Sequence, residues 1–331
     1  MTGTSTGAAV RVLGAVGAVA ALMTACTASP PREAPARLAV DDRWLQLSSA
    51  DAFGEVSALD IDGHGHLFVL HRAGRPWVEP FPEAPIPQPT VHMFDAASGA
   101  LLARWGAGEM VMPHGLSVDA EDAVWITDVA REQVLKFSHE GRLELALGVR
   151  GRAGTGAAGF GRPADVAFDG DRVLVADGYV NDRVAVFDRS GRYVEEWRGD
   201  GLLDLPHAIA ADGGRVLVAD REHGRVQVFA ADGRPLERWE APGRGHVYAV
   251  RPLPDGRVVT LEGRDRENRT GAILRVRSPR GDLLASYDVG LAGEKASLGH
   301  DLAAGPDGTL YMADHRGNRV VRFRLPETGE R

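Results

Sequence analysis

Arg172-Val173-Leu174-Val175-Ala176-Asp177-Gly178-Tyr179-Val180-Asn181-Asp182-Arg183-Val184-Ala185-Val186-Phe187 decides the fold. Two short apolar runs, rich in β-branched residues, flank a turn that contains Asp-Gly, the pattern of paired strands. The same pattern recurs from Thr127-Asp128 to Phe137, from Ala219-Asp220 to Phe229 and from Ala313-Asp314 to Phe323. Asp128, Asp177, Asp220 and Asp314 lie 49, 43 and 94 residues apart. The last interval is two periods, so a degraded unit occupies about 260–277. A sixth unit precedes the series, running from Leu67-Phe68-Val69-Leu70 through a Pro-rich insertion to Thr90-Val91-His92-Met93-Phe94. Units of this length, each holding about four strands of about five residues, are propeller blades. An open stack would leave a bare strand edge at each end, and a closed ring removes both. The expected fold is all-β, a six-bladed β-propeller over 41–327, with a short tail at 328–331. Asp42 to Leu47 is placed to complete the last blade.

The first residues stand apart from this repeat. Met1 to Arg11 carries one basic side chain, and Val12 to Ala25 is small, apolar and uncharged, too short for a comfortable permanent span. Leu22-Met23-Thr24-Ala25-Cys26 resembles a bacterial lipobox. That likeness implies a signal peptide at 1–25, lipid on Cys26, a flexible Pro/Ala/Ser-rich tether over 26–40, and an extracytoplasmic, membrane-anchored protein. An ordinary signal peptide with a chance cysteine is the alternative and leads to secretion. Cys26 is the only cysteine, so no intramolecular disulfide is available. A net charge of −8 without a basic stripe excludes a nucleic-acid footprint. A closed ring has no sheet edge to pair, and a monomer is expected.

Met112-Pro113-His114-Gly115, Leu205-Pro206-His207-Ala208 and Leu298-Gly299-His300-Asp301 share one context and recur at intervals of 93 residues. Two blades separate each pair, which sets the imidazoles a third of a turn apart. Ser57, Ala164 and a residue near Val247 hold the same phase in the intervening blades. Three neutral imidazoles converging on the axis make a three-ligand centre with an open fourth place, the arrangement of catalytic zinc. The other eight histidines lack this phase and are expected to face solvent. The recurring aspartates read as turn formers.

Pro113-His114-Gly115-Leu116-Ser117 with Thr127-Asp128-Val129-Ala130, Asp177-Gly178-Tyr179-Val180-Asn181 and Ala219-Asp220-Arg221-Glu222 resemble the peptidylglycine α-hydroxyglycine α-amidating lyase family, an NHL-type propeller. Val56 to Arg72 and His300 to Phe323 extend the likeness over nearly the whole mature chain. The resemblance implies a zinc-dependent lyase that splits a peptidyl-α-hydroxyglycine into a peptide amide and glyoxylate. By that likeness His114, His207 and His300 hold zinc, Tyr179 is the base, and Arg72 and Arg221 complete the site. A structural calcium is implied at the Asp301 carboxylate and the main-chain carbonyls of Leu59 and Leu116. The expected substrate is a small peptide or another carbinolamide. A tyrosine serves as base only where cations favour its phenolate, and an arginine suits a substrate carboxylate. The chain departs from the pattern at Gly299, which replaces a proline, and at Val180, Leu217 and Val228, where the animal enzymes carry disulfide cysteines. No copper hydroxylase domain is legible in these residues, which leaves another carbinolamide open as substrate. Two further functions fit the same fold. One is a non-catalytic envelope propeller that binds a peptide, glycan or protein. The other is a calcium-dependent lactonase, which three imidazoles disfavour. Tyr179, Arg72 and Arg221 together tip the balance toward an enzyme, since a metal that only pins the channel needs the histidines alone.

Overall fold

The computed structural model describes residues 1–4, 35–198, 201–243, 245–291 and 296–326. Of the separate unit 1–34, only 1–4 are described, exposed and without secondary structure. The lipobox with Cys26 and the tail at 328–331 lie outside the described residues. Among those residues no helix is long and apolar enough to cross a membrane.

Six sheets follow one another along the chain, each built from consecutive antiparallel strands, with one N-terminal strand added to the fifth. Their innermost strands are Val56–Ile61, Pro113–Val118, Asp165–Asp169, Pro206–Asp212, His246–Pro252 and Gly299–Ala304. Each packs beside the next, and Gly299–Ala304 packs beside Val56–Ile61, so the ring closes into a six-bladed propeller. The degraded fifth unit is a full blade, with Val258–Arg264 and Thr270–Arg277 as its second and third strands.

The strands read as continuous apolar runs because both faces of a blade are covered. In Arg172–Asp177, Val173 and Val175 pack with Trp125 and Val134 of blade two. Leu174 and Ala176 of the same strand pack with Ile209 and Val216 of blade four. Three tryptophans at the ends of outer strands lock successive blades. Trp105, Trp197 and Trp239 lie against turn glycines of the following blade, Gly141, Gly233 and Gly281, whose φ values are +87°, +80° and +86°. A Cβ on any of the three would fall 2.1–2.4 Å from an indole atom, so both the backbone and the close approach require glycine.

The N-terminal segment closes the seam. Ala36–Arg37 pairs in parallel with the outer strand Leu283–Asp288 of blade five. Asp41 exchanges two main-chain hydrogen bonds of 2.9 Å with Arg322 on blade six, and Gln46 bridges Ala100 on blade one. Trp44 is buried with its ring 5.5 Å from that of Tyr311, and Arg322 covers it at 4.6 Å. Residues 36–40, expected as tether, therefore belong to the propeller. The last blade is completed by a bridge at Asp41 rather than by a strand over Asp42 to Leu47. The physical reason is that Leu38 and Val40 bury apolar surface against the last two blades, which composition alone does not reveal.

Candidate metal centre and active site

Each of the three histidines sits near the start of an innermost strand, where the pairing register slips. The slips fall between Pro113 and Leu116, Pro206 and Ala208, and Gly299 and Asp301. A bulge releases its residue from the ladder and re-aims the side chain, here into the channel. The buried rings of His114, His207 and His300 have centroids 4.8–4.9 Å apart. Gly299 suits the third position, since a Cβ there would lie 2.9 Å from the buried Leu261 side chain and force it to shift.

The intervening blades fix the tautomers. His114 Nδ1 donates to Ala164 O at 2.8 Å, His207 Nδ1 to Tyr248 O at 2.8 Å, and His300 Nδ1 to Ser57 O at 2.6 Å. A carbonyl only accepts, so each Nδ1 carries the hydrogen and each Nε2 presents a lone pair. Burial keeps the rings neutral, with His300 pushed down to about 3 and the other two well below the usual range. His207 Nε2 is buried and has no hydrogen-bond partner among the described residues. Neutral imidazoles oriented by carbonyls, with a lone pair left over, form a donor set that fits zinc. The aspartates of the repeat do more than turn the chain. Asp128 accepts the amides of Val111 (2.6 Å) and Met112 (3.0 Å), Asp220 that of Asp204 (2.7 Å), and Asp314 that of Leu298 (3.0 Å). Each carboxylate thereby anchors the main chain just ahead of a histidine.

Tyr179 reaches this centre from the turn after the second strand of blade three. Gly178 makes the approach feasible, since a Cβ there would lie 2.1 Å from Pro206 O. The Tyr179 hydroxyl donates to His114 Nε2 at 2.9 Å. Arg221 lies 5.5 Å from the Tyr179 ring centre and 5.3 Å from that of Tyr248, tied to Glu222 at 2.8 Å. Arg72 is buried and donates to Glu55 (2.9 Å), His315 Nε2 (2.8 Å) and Pro113 O (3.2 Å). Burial raises the Tyr179 hydroxyl, and the guanidiniums of Arg221 and Arg72 oppose it.

Four residues around the site escaped the sequence analysis, one of them Tyr248, whose ring lies 4.8 Å from that of His207. The His315 ring stacks on His300 at 5.1 Å and 24°, and Glu55 holds Arg72. Trp77 packs 5.2 Å from Tyr179 and 6.1 Å from His114, with Arg72 over its face at 5.0 Å. His315 follows Asp314 as Arg221 follows Asp220, and that phase would have found it. Trp77 comes from the Pro-rich insertion, which has no repeat phase. The expectation of eight solvent-facing histidines is corrected here. His71 and His92 are buried against Phe53, because their strand phase points them inward.

Asp301 lies one residue beyond the third histidine. Its carboxylate accepts the amides of Leu59 (3.1 Å) and Leu302 (2.8 Å) and faces Arg251 at 4.0 Å. Burial pushes it up to about 7 against the pull of Arg251. Asp165 is raised well above its usual range by burial and by the charge of Asp301. Asp60, Asp165 and Asp301 thus share the single guanidinium of Arg251, an excess of oxygen donors that fits a hard cation. Leu59 and Leu116 are fully buried on the innermost strands of blades one and two.

These features define a class: an NHL-type propeller with three inward imidazoles and a Tyr-Arg shell at one mouth. The NHL repeat family matches residues 203–229. The chain is 32% identical to peptidyl-glycine alpha-amidating monooxygenase B of Xenopus laevis, covering 82% of this chain and 34% of that protein. It is 31% identical to peptidyl-alpha-hydroxyglycine alpha-amidating lyase 2 of Drosophila melanogaster, over 83% of this chain and 73% of that one. The chain thus spans about a third of the length of the monooxygenases it matches. Among solved structures, streptogramin B lyase superposes with a TM-score of 0.58 at 12% identity, over 87% of this chain and 98% of that one. Virginiamycin B lyase from Staphylococcus aureus with quinupristin gives 0.59 at 10% identity, over 89% and 86%. At such identities these two show the shared fold. The chain belongs to the peptidyl-α-hydroxyglycine α-amidating lyase family, and its relatives support a lyase-like function.

Proposed function

We propose that the chain is a zinc-dependent lyase that cleaves the carbon–nitrogen bond of a peptidyl-α-hydroxyglycine, or a similar small carbinolamide, to an amide and glyoxylate. The observation that carries this is the Tyr179 hydroxyl 2.9 Å from His114 Nε2, within a set of three neutral imidazoles and flanked by two arginines. A metal that only pinned the channel would need no phenol beside it. Zinc held by His114, His207 and His300 would supply Lewis acidity to the carbinol oxygen.

The chain's own groups do the rest. Tyr179 takes the carbinol proton, with Arg221 and Arg72 favouring its phenolate. The C–O bond becomes C=O as the C–N bond breaks, and the departing amide nitrogen takes up a proton. No atom is gained or lost, since the substrate divides into amide and glyoxylate. Arg72 is committed to Glu55, His315 and Pro113, so it sets the charge behind Tyr179. Arg221, with 17% of its side chain exposed, is the arginine open to the substrate carboxylate. A structural calcium at Asp301 with the carbonyls of Leu59 and Leu116 belongs to the same proposal, supported by the carboxylate excess around Arg251. Export, lipidation at Cys26 and action as a monomer are also proposed, on the apolar leader and the closed ring.

The test is glyoxylate release from α-hydroxyhippurate by the zinc-loaded chain. Tyr179→Phe should lower turnover by about 100-fold or more while leaving zinc content unchanged. Full activity in that variant would remove Tyr179 from the mechanism.

A further inference from the structure

The face opposite the three histidines carries a second cluster that the lyase chemistry does not use. Asp62 lies in the turn between the first two strands of blade one, its side chain fully buried. Its Oδ1 accepts the amides of His64 and His66, both at 2.8 Å. The spare Oδ2 lies 2.8 Å from His66 Nδ1 and 3.0 Å from His139 Nε2. The two ring nitrogens are 3.2 Å apart. His139 comes from the turn between the last two strands of blade two, so the triangle spans the boundary between blades.

Protons alone satisfy this triangle poorly. An ionised carboxylate only accepts. If one imidazole nitrogen donates and the other does not, a lone pair faces the carboxylate. If both donate, two N–H groups crowd onto one oxygen from nitrogens 3.2 Å apart. With zinc–ligand bonds of about 2.0–2.2 Å, the edge of a tetrahedral site is about 3.3 Å. The three atoms therefore already outline one face of such a site. The equivalent Asp119 of blade two accepts at its spare oxygen from Trp125 Nε1 at 2.8 Å and from Arg189, groups that only donate and bring no lone pair to the carboxylate.

We propose that Asp62, His66 and His139 form a second site for zinc or a similar borderline divalent cation. His66 and His139 are 29% and 21% exposed, which leaves the fourth place open to water. Glu140 stands 3.8 Å from His139 Nδ1, on the side of the ring away from the triangle, an ion-pair distance too long for a hydrogen bond. The cation would cross-link blades one and two in a chain whose one cysteine offers no disulfide.

The test strips the full chain with chelator, re-equilibrates it with Zn²⁺ under excess Ca²⁺, removes free metal and counts zinc. Wild type should hold two zinc ions, His139→Ala and His207→Ala one each, and the double variant none. His139→Ala should leave unchanged whatever glyoxylate release the wild type shows, and should lose the rise in melting temperature that the second zinc gives. In His207→Ala, Co²⁺ should give a tetrahedral visible absorption that further substitution of His139 abolishes. A wild type that saturates at one zinc, lost in His207→Ala, overturns the site, as does a His139→Ala chain that still binds two. Failure of glyoxylate release alongside a count of two leaves this site standing and removes only the lyase.

Discussion

His207 Nε2 and His92 Nδ1 are both buried nitrogens without a hydrogen-bond partner among the described residues, and they have opposite meanings. The first belongs to a ring whose other nitrogen is bonded to a carbonyl, so its lone pair is aimed and kept free. Leaving such an atom unpaired costs about 1–3 kcal/mol, a debt that a bound cation would cancel. His92 packs instead against His71, ring centres 4.6 Å apart, and among the described residues no third ligand group converges on the pair. Burial pushes His71 down to about 3 and His92 to about 4. Both stay neutral in the fold while the unfolded chain takes up protons below about pH 6.5. Their contribution is therefore full above that pH and is lost as the pH falls toward 4 and then 3, at up to about 1.4 kcal/mol per pH unit for each ring. His92→Leu should flatten the fall in melting temperature between pH 6.5 and 4. An unchanged slope would contradict this assignment.

At the level of elements, the turn glycines hold one blade against the next. Gly233 combines a φ of +80° with a Cβ position 2.4 Å from the Trp197 ring. Gly233→Ala should cost roughly 1–3 kcal/mol in urea unfolding, while Gly213→Ala, at φ +56° with open space around it, should cost less. Blades were legible in the sequence where an aspartate ends the second strand, because that carboxylate must anchor the loop beside it. Blade five showed only as a doubled interval, because Arg264 holds the equivalent place and its buried carboxylate is Glu262, paired with Arg275 at 2.7 Å. The three histidines were legible because their spacing is two whole blades. Trp77, and the joining of Asp62 to His139, were not, since an insertion and a contact between turns obey no period.

For the whole molecule, closure of the ring and assembly of the site are one event. The seam between blades six and one runs through the bond from His300 Nδ1 to Ser57 O. Trp44, Phe53 and Tyr311 form the apolar cluster across that seam. Trp44→Ala should lower stability by about 3–5 kcal/mol and weaken zinc retention with it. A loss of stability with zinc binding untouched would separate seam from site. The central claim is that the three alternate-blade histidines hold the metal on which turnover depends, and zinc titration of chelator-stripped protein tests it most directly. Glyoxylate release from α-hydroxyhippurate should be absent after stripping and should return as zinc is restored, and His207→Ala should recover none of it at any zinc concentration. Undiminished release by the stripped chain, or by His207→Ala, would contradict the claim.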